Sequence, residues 1–209
     1  MTEERNNLKN DNKKEKETAI FDAACRVIRQ KGFHQARMAD IAAEAGISYG
    51  LVYHYFDSKA GLFDTLIEEW WTGLDNMTLE LLDAPLTVEE KLAAIADYYL
   101  DQYEKRPNLV HIFITELSRS TANLTPDRLD RFKRLMSRTE AIMAQAQEKG
   151  DIRDDVRPHL LTYIFLGAIE ALLSTMVLED QPIKGQKHRE RLAQGILTVF
   201  FDGAKPRHP

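Results

Sequence analysis

Residues 37–63, RMADIAAEAGISYGLVYHYFDSKAGLF, constrain the fold more than any other part of the chain. Apolar side chains recur every three or four positions from Met38 to Ala45, which is the spacing of one face of a short α-helix. Gly46 follows, and glycine readily adopts the left-handed conformation that ends a helix. Ser48 then stands where an N-cap residue would begin a second helix. The segment therefore predicts two short helices joined by a tight turn.

A helix, a glycine turn and a second helix are typical of the helix-turn-helix, whose second helix enters the major groove of DNA. This stretch resembles the DNA-binding domain of the TetR family of bacterial repressors, and the preceding segment, with its turn at Gly32–Phe33, resembles the family's first helix. The resemblance implies a repressor that binds a palindromic operator as a dimer. The residues that match the family pattern are Asp40, Ile41, Ala42, Ala45, Gly46, Ile47, Ser48, Gly50, Tyr53, Tyr55, Phe56, Ser58, Lys59 and Leu62.

We expect the second helix of this pair to make most of the DNA contacts. Tyr53 and His54 face outward on it and Lys59 follows it, so their predicted partners are phosphates, which position a protein without reading sequence. Residues at the start of the helix are predicted to lie near base edges, with Gly50 allowing close approach of the backbone. The predicted DNA-binding residues are Arg37, Ser48, Tyr49, Gly50, Leu51, Tyr53, His54 and Lys59.

Two positions depart from the family pattern. Ala36 stands near the start of the first helix of the pair, where the family usually has Thr or Ser, and alanine has no hydroxyl for capping. We therefore expect Arg37 to take over the phosphate contact. Leu51 replaces a common Thr, which leaves one fewer hydrogen-bonding group for base edges, so Leu51 is expected to touch a thymine methyl group or to pack.

The remaining sequence predicts further helices and no strand, because apolar residues recur with helical spacing and strict alternation is absent. The expected fold is all-α, with about nine helices. We expect a disordered tail in residues 1–15, a helix-turn-helix domain in residues 16–60, and a ligand-binding and dimerisation domain in residues 61–205. The predicted helices span about 16–31, 37–45, 48–55, 58–82, 87–106, 108–118, 126–149, 158–178 and 187–202.

Charge is distributed unevenly along the chain. Residues 1–62 contain ten Lys or Arg and nine Asp or Glu, whereas the remainder contains eighteen and twenty-four, within an overall net charge of −5. This asymmetry favours nucleic-acid contact at the N-terminal end alone.

The predicted eighth helix, residues 158–178, is apolar on nearly all sides, so most of its faces must be buried. One face meets its own domain and the other needs a partner. The small residues Gly167, Ala168, Ala171 and Ser174 recur at a spacing of three or four residues and permit close approach of another helix. The family's last two helices pair with their symmetry mates, so the resemblance implies a homodimer. An ordinary core within one domain is the alternative.

Aromatic residues are scattered over the predicted fourth to eighth helices. Aromatics at helical spacing are usually core, but as a set they can line an apolar ligand cavity between helices. Glu170 is unusual in an apolar helix, because a buried carboxylate needs a partner. We expect it to meet an Arg or Tyr or to reach solvent. The predicted ligand-binding residues are Trp70, Tyr99, Tyr103, Phe113, Leu117, Arg119, Phe132, Tyr163 and Glu170.

Residues 114–132 resemble the branch of the family that represses fatty-acid degradation genes, in which a Glu-Leu-x-x-Ser element follows the sixth helix. The resemblance implies a long-chain acyl-CoA as effector, with nearby cations for its phosphates. A solvated basic helix face is the alternative for these cations. The alternative for the effector is a lipophilic aromatic or cationic compound, as in multidrug-type repressors, with Glu170 as counter-ion. The element reads Glu116, Leu117 and Ser120, and the cations are Arg106, Arg119, Arg128, Arg131, Lys133 and Arg134.

No cofactor, metal site or enzyme activity is expected. The histidines are too dispersed to bind a metal, and no catalytic triad, P-loop or dinucleotide fingerprint occurs. Cys25, the single cysteine, excludes an intramolecular disulfide and fits a reducing cytoplasm. With no signal peptide or membrane span, the expected partners are operator DNA, a second copy and a small hydrophobic effector. Two other classes stay open: an enzyme with a helical fold, and a protein-interaction module without DNA binding.

Overall fold

The computed structural model describes residues 2–117 and 125–204, with side chains for residues 13–115 and 125–203. Within those ranges the regular elements are nine α-helices and one short π-helix, with no strand, so the predicted all-α fold is confirmed. The elements are α1 (Thr2–Lys31), α2 (Met38–Ala45), α3 (Tyr49–Tyr55), α4 (Lys59–Asp83), α5 (Val88–Lys105), α6 (Pro107–Ile112), the π-helix (Phe113–Leu117), α7 (Pro126–Lys149), α8 (Pro158–Leu178) and α9 (Gln186–Ala204).

Local capping chemistry sets several helix boundaries. Gly46 ends α2 with a φ of 67°, in the left-handed region that favours glycine. The Ser48 hydroxyl accepts a hydrogen bond of 3.3 Å from a backbone N–H in the first turn of α3. Thr87 and Glu90 form the predicted capping box at α5, with N–H to side-chain oxygen distances of 2.8 and 3.2 Å. These boundaries follow the sequence prediction because each depends on residues only three apart.

Two boundaries differ from the prediction. The helix α1 begins at Thr2, although residues 1–15 are expected to be a disordered tail. No glycine or proline occurs between residues 2 and 31, and the Glu, Lys and Arg residues there favour helix, so no local signal stops α1 earlier. The predicted helix 108–118 is instead α6 followed by the π-helix. A π-helix uses i→i+5 hydrogen bonds, and the spacing of apolar residues in the sequence does not predict them.

The helices pack in two connected groups. α1 packs against α2 and α6, and α2 packs against α3. In the C-terminal part, α4 packs against α7, α7 against α8, and α9 against both α5 and α8. α4 runs without a break from Lys59, four residues after α3 ends, to Asp83, so it joins both groups.

One side of α8 is buried and another is apolar and exposed. Phe165, Ile169 and Leu173 lie in the core. By length and composition α8 could cross a membrane, the one such helix in the described ranges, and 39% of its most apolar window is buried. Core helices of soluble proteins pass the same test. We call the exposed uncharged residues the α8 outer stripe: Leu160, Tyr163, Ile164, Gly167, Ala168, Ala171, Thr175 and Leu178; Glu170 is also exposed on α8.

Candidate functional site

The outward side of α3 is the first candidate site. Val52 points into the core, whereas Tyr49 and Tyr53 are 53% and 39% exposed, with ring centroids 4.8 Å apart. A hydrogen bond with Tyr49 raises the pKa of the Tyr53 hydroxyl, so Tyr53 remains a neutral phenol that can donate to a phosphate or a base edge. We call the exposed residues on this side the reading face: Ser48, Tyr49, Gly50, Tyr53 and His54.

Gly50 lies at the start of α3 within the reading face. A Cβ atom built on Gly50 has no other heavy atom within 4 Å, so packing within the chain does not require glycine there. Glycine inside a helix is up to about 1 kcal/mol less favourable than alanine. The bare backbone therefore suits close approach by a molecule outside the chain, which is what the predicted DNA contact needs.

The other predicted DNA contacts around α3 differ in exposure. His54 is exposed, and its ring meets the Tyr55 ring edge-on at 5.6 Å. Leu51 is half-buried, which fits both expectations for it, packing and contact with a thymine methyl. Arg37 is exposed at the N-cap of α2, where its backbone N–H donates to the Asp40 carboxylate at 3.1 Å. The Arg37 side chain can therefore reach a phosphate while its backbone holds the helix start.

Lys59 is bonded within the chain, contrary to the phosphate contact predicted for it. Its ammonium donates to the backbone carbonyls of Phe33 at 2.6 Å, Ala36 at 2.9 Å and His34 at 3.2 Å. The ammonium also lies 4.6 Å from the centre of the Phe33 ring. These bonds use all three ammonium donors, so in this structure Lys59 clamps the loop between α1 and α2. Its partners lie 23 to 26 residues away, which is why the local motif did not reveal them.

A group of aromatic rings from α4, α5 and the π-helix is the second candidate site. The centroid of the Trp70 ring lies 5.0 Å from that of Phe113, 5.8 Å from that of Tyr99 and 6.3 Å from that of Tyr98. Trp71 lies 5.6 Å from Phe113. The predicted residues Trp70, Tyr99 and Phe113 are thus brought together, and Trp71 and Tyr98 join them. We call these five residues the aromatic cluster.

Gly73 supports the cluster from α4, although no sequence pattern selected it. A Cβ atom on Gly73 would lie 2.0 Å from the hydroxyl oxygen of Tyr98. The glycine therefore makes room for the Tyr98 ring against α4. The only sequence signal is its place two residues after the Trp70–Trp71 pair.

The polar atoms of the cluster are unusual. The indole N–H groups of Trp70 and Trp71 are buried, and neither has a hydrogen-bond partner among the residues described. A buried unsatisfied donor costs about 1–3 kcal/mol. Burial raises the pKa of the Tyr99 hydroxyl, and the charge of Glu170 raises it further. Glu170 itself is exposed, so of the two expectations for it, reaching solvent is the one observed.

The other predicted ligand residues lie apart from the cluster. Tyr103 is buried, but its hydroxyl donates to a backbone carbonyl in the loop after α8 at 2.8 Å. Phe132 on α7 is 46% exposed, and Tyr163 is 56% exposed in the α8 outer stripe. Their predicted contact with a buried ligand therefore has no support in their positions. The side chain of Leu117 and the whole of Arg119 lie outside the described residues.

The arginines expected to hold phosphates are paired with carboxylates. Arg131, for example, donates to Glu68 on α4 at 2.5 Å and to Asp127 at 2.9 Å. Four arginines tie α7 to α4 through such pairs, so neither a phosphate site nor a solvated basic face describes them. Lys133 is exposed. The pairs with α4 carboxylates are Arg128–Asp64, Arg131–Glu68, Arg131–Asp75, Arg134–Asp75, Arg138–Asp75 and, from the start of α6, Arg106–Glu69.

A groove of about 390 Å³ lies between α5 and α9. None of the predicted ligand residues lines it. Its walls combine apolar and acidic side chains, namely Glu89, Glu90, Ala93, Gln194, Leu197, Thr198, Phe201 and Asp202.

No metal site or reactive thiol emerges within the described ranges. No group of three or more His, Cys, Asp or Glu residues there is placed to hold a metal ion. Cys25 is buried, and burial raises its pKa to about 12, so the thiol is inert at neutral pH.

Two family models match the chain, one over the reading face and the other over Tyr98, Tyr99 and Phe113 of the aromatic cluster. The model of bacterial regulatory proteins of the tetR family matches residues 20–66, and the tetracyclin repressor-like C-terminal domain matches residues 85–174. The protein is thus a helix-turn-helix transcription regulator, a class of DNA-binding proteins that are not enzymes. The chain belongs to the tetR family, and the predicted resemblance is confirmed.

Several relatives are similar over nearly the whole chain. The fatty acid metabolism regulator protein of Bacillus subtilis (strain 168) is 27% identical over 191 residues, covering 91% of this chain and 96% of that protein. The crystal structure of FadR from Bacillus subtilis in complex with stearoyl-CoA has 25% identity and a TM-score of 0.72, over 89% of this chain and 98% of its own. The fatty acid degradation regulator FadR from Bacillus halodurans shares the fold, with 23% identity and a TM-score of 0.74, over 90% of this chain and 95% of its own.

Proposed function

We propose that the protein is a cytoplasmic, homodimeric repressor that binds a palindromic operator and is released when a long-chain acyl-CoA binds. The reading face is the observation on which DNA binding rests, because exposed hydrogen-bonding side chains flank a glycine with open space above it. Residues 16–60 would bind DNA, and residues 61–205 would bind the effector and form the dimer. The family matches at residues 20–66 and 85–174 support this division.

The α8 outer stripe supports the homodimer. Leu160, Ile164 and Leu178 are 47%, 52% and 67% exposed, and Val199 on the neighbouring α9 is 76% exposed. Large apolar side chains exposed on two helices that pack against each other mark an interaction surface. Small residues such as Ala171 allow two helices to approach closely. A second copy is the partner that the function needs, because reading two half-sites requires two helix-turn-helix units about 34–36 Å apart.

The aromatic cluster supports an apolar effector. Trp70 and Trp71 are buried and the other three rings are half-buried; the cluster lies between helices of the C-terminal part and includes three of the predicted ligand residues. Similarity to a regulator whose structure holds stearoyl-CoA favours a long-chain acyl-CoA. The arginines between Arg128 and Arg138 are occupied by the carboxylates of α4, so we assign the CoA phosphates to none of them.

We infer that α4 transmits the effector signal to the reading face. α4 begins at Lys59, close behind α3, and contains both Trp70 and Trp71. A second connection runs through α1, where Arg29 donates to Asn108 of α6 at 2.9 Å, and α6 leads into the π-helix. The effector must bind the released state more tightly than the DNA-bound state, because only differential affinity shifts the equilibrium.

A mobility-shift assay with palindromic DNA from the protein's own promoter tests the proposal. The dimer should retard the DNA, and acyl-CoAs should release it with strong chain-length dependence, since each buried methylene adds about 0.8 kcal/mol. Free fatty acids should act weakly. If lipophilic cations release the DNA while acyl-CoAs of every length leave it bound, the multidrug-type alternative replaces the acyl-CoA, with Glu170 as counter-ion. Absence of any retarded species would rule out operator binding.

A further inference from the structure

Two buried hydrogen-bond donors lack an acceptor within the part of the chain that the structure describes. Trp70 and Trp71 are 2% and 6% exposed, and their indole nitrogens have no hydrogen-bond partner there. Buried tryptophans usually place the N–H on an acceptor, so each exception calls for an explanation. Loose packing does not explain the missing partners, because both indole rings contact the ring of Phe113.

Trp70 is the more central of the two. Its ring contacts Tyr98 and Tyr99 from α5 as well as Phe113, whereas the ring contact of Trp71 is with Phe113. Phe113 opens the π-helix, an element that frequently occurs at functional sites. A ligand between α4, α5 and the π-helix would therefore meet Trp70 on several sides.

We propose that the Trp70 indole N–H donates a hydrogen bond to an uncharged carbonyl oxygen of the effector, the thioester carbonyl of a long-chain acyl-CoA. The surroundings favour a neutral acceptor over a carboxylate. A neutral carbonyl oxygen accepts a hydrogen bond without bringing a charge among the aromatic rings around Trp70, whereas a carboxylate buried there would need a compensating cation. This inference rests on the proposed effector and adds the group that distinguishes thioester from free acid.

Two ligands of equal chain length isolate this hydrogen bond. Palmitoyl-CoA carries the thioester carbonyl, and hexadecyl-CoA is the thioether that lacks its oxygen. Trp70 and Trp71 are the two tryptophans of the chain, so each single Phe variant keeps one fluorescent reporter at the site. Trp71→Phe is the matched control, because it makes the same change on the same helix and also removes a buried, unpartnered N–H.

The ratio of the two dissociation constants is the readout, measured by fluorescence titration of the full chain. The wild-type protein should bind the thioester about three- to tenfold more tightly than the thioether, which is the range for one neutral hydrogen bond. Trp70→Phe should abolish this preference by weakening thioester binding alone. Trp71→Phe should shift both affinities together and keep their ratio.

The outcomes separate this inference from the proposed function. If Trp70→Phe keeps the thioester preference, or Trp71→Phe loses it, the assignment to Trp70 is wrong. If the wild-type protein binds neither CoA ligand, the proposed effector fails together with this inference, while operator binding is judged separately by the mobility shift. Benzothienylalanine at position 70 keeps the bicyclic ring without the N–H, and it replaces Trp70→Phe if that variant is poorly folded.

Discussion

The reading face of α3 and the outer stripe of α8 are both exposed in a single chain, but their chemistry is opposite. Tyrosine, serine and histidine side chains share the reading face with Gly50, whereas leucine, isoleucine and small residues form the stripe. Base edges and phosphates offer hydrogen-bond partners, and a second copy of α8 offers apolar surface. The two exposed surfaces can therefore be assigned to different partners. The reading face exposes hydrogen-bonding groups, and the α8 outer stripe exposes apolar side chains.

The largest expected effect comes from placing a charge in the α8 outer stripe. Ala171→Arg should leave the isolated chain folded, because Ala171 is exposed there, but should cost several kcal/mol of dimerisation free energy through desolvation of the arginine. Sedimentation should show monomers, and operator affinity should fall at least about tenfold, the effect of 1.4 kcal/mol. Ser137→Arg adds the same side chain at an exposed position of α7, and it should change neither the sedimentation of the dimer nor its operator affinity. An unchanged dimer would place the interface elsewhere.

Lys59→Met should have the next largest effect, and it tests where the reading face ends. The substitution keeps the aliphatic stem but removes the donor to three backbone carbonyls, so the free energy of unfolding should fall by about 1–3 kcal/mol. The slope of log affinity for DNA against log salt should stay unchanged, because no phosphate contact is lost. Lys133→Met, at an exposed lysine of α7, should leave stability unchanged. A reduced salt slope would return Lys59 to the DNA contacts.

The reading face was predictable from the sequence because its determinants are local. Gly46 and Ser48 set the start of α3 by turn and capping chemistry within three residues, and the helical period then fixes which residues face outward. Val52 is buried and Tyr49 is exposed as this period requires. No long-range contact was needed to place these side chains.

The proposed effector site was predictable only in part, because it is assembled by contacts between distant segments. The sequence indicated Trp70 and Phe113 as aromatics on separate helices, but not that their rings meet. It showed a cluster of arginines, whereas Arg128 is paired with Asp64, 64 residues away. Partner choice across helices depends on how α4 and α7 pack, and apolar periodicity gives the buried face of each helix but not their relative register.

Gly50→Ala should produce a smaller effect. It should raise the stability of the protein and lower its affinity for the operator. The added methyl group meets no atom of the chain, and alanine favours helix, so stability should rise by up to about 1 kcal/mol. Operator affinity should fall, because the methyl group occupies the space that DNA needs. Thermal unfolding measures the stability, and a DNA-binding assay on the same preparation measures the operator affinity. Gly203→Ala, also in open space on a helix, should leave DNA affinity unchanged. Equal DNA affinity for Gly50→Ala would remove Gly50 from the contact surface.

The smallest effect concerns Asp40, which braces the helices behind the reading face rather than lying on it. A hydrogen bond from Lys31, at 2.9 Å, and a second from the Arg37 backbone hold the pKa of the Asp40 carboxyl below its ordinary value of 3.8. The charged form is therefore favoured in the folded state. Its contribution to stability should be complete above about pH 4 and should disappear as the pH falls through the lower folded pKa.

Asp40→Asn isolates this contribution, because asparagine can still accept the Arg37 backbone bond but cannot pair with Lys31 as an anion. The melting temperature of the wild-type protein should exceed that of the variant slightly at about pH 6, and the two should converge as the pH falls through the lowered pKa of Asp40. The pair is exposed to solvent and screened by salt, so the difference should also shrink at high ionic strength. A difference that stays constant across this pH range would show that Asp40 acts through packing or capping alone. In that case packing and capping stabilise the helices behind the reading face. Any loss of their stability at low pH must then come from another carboxylate.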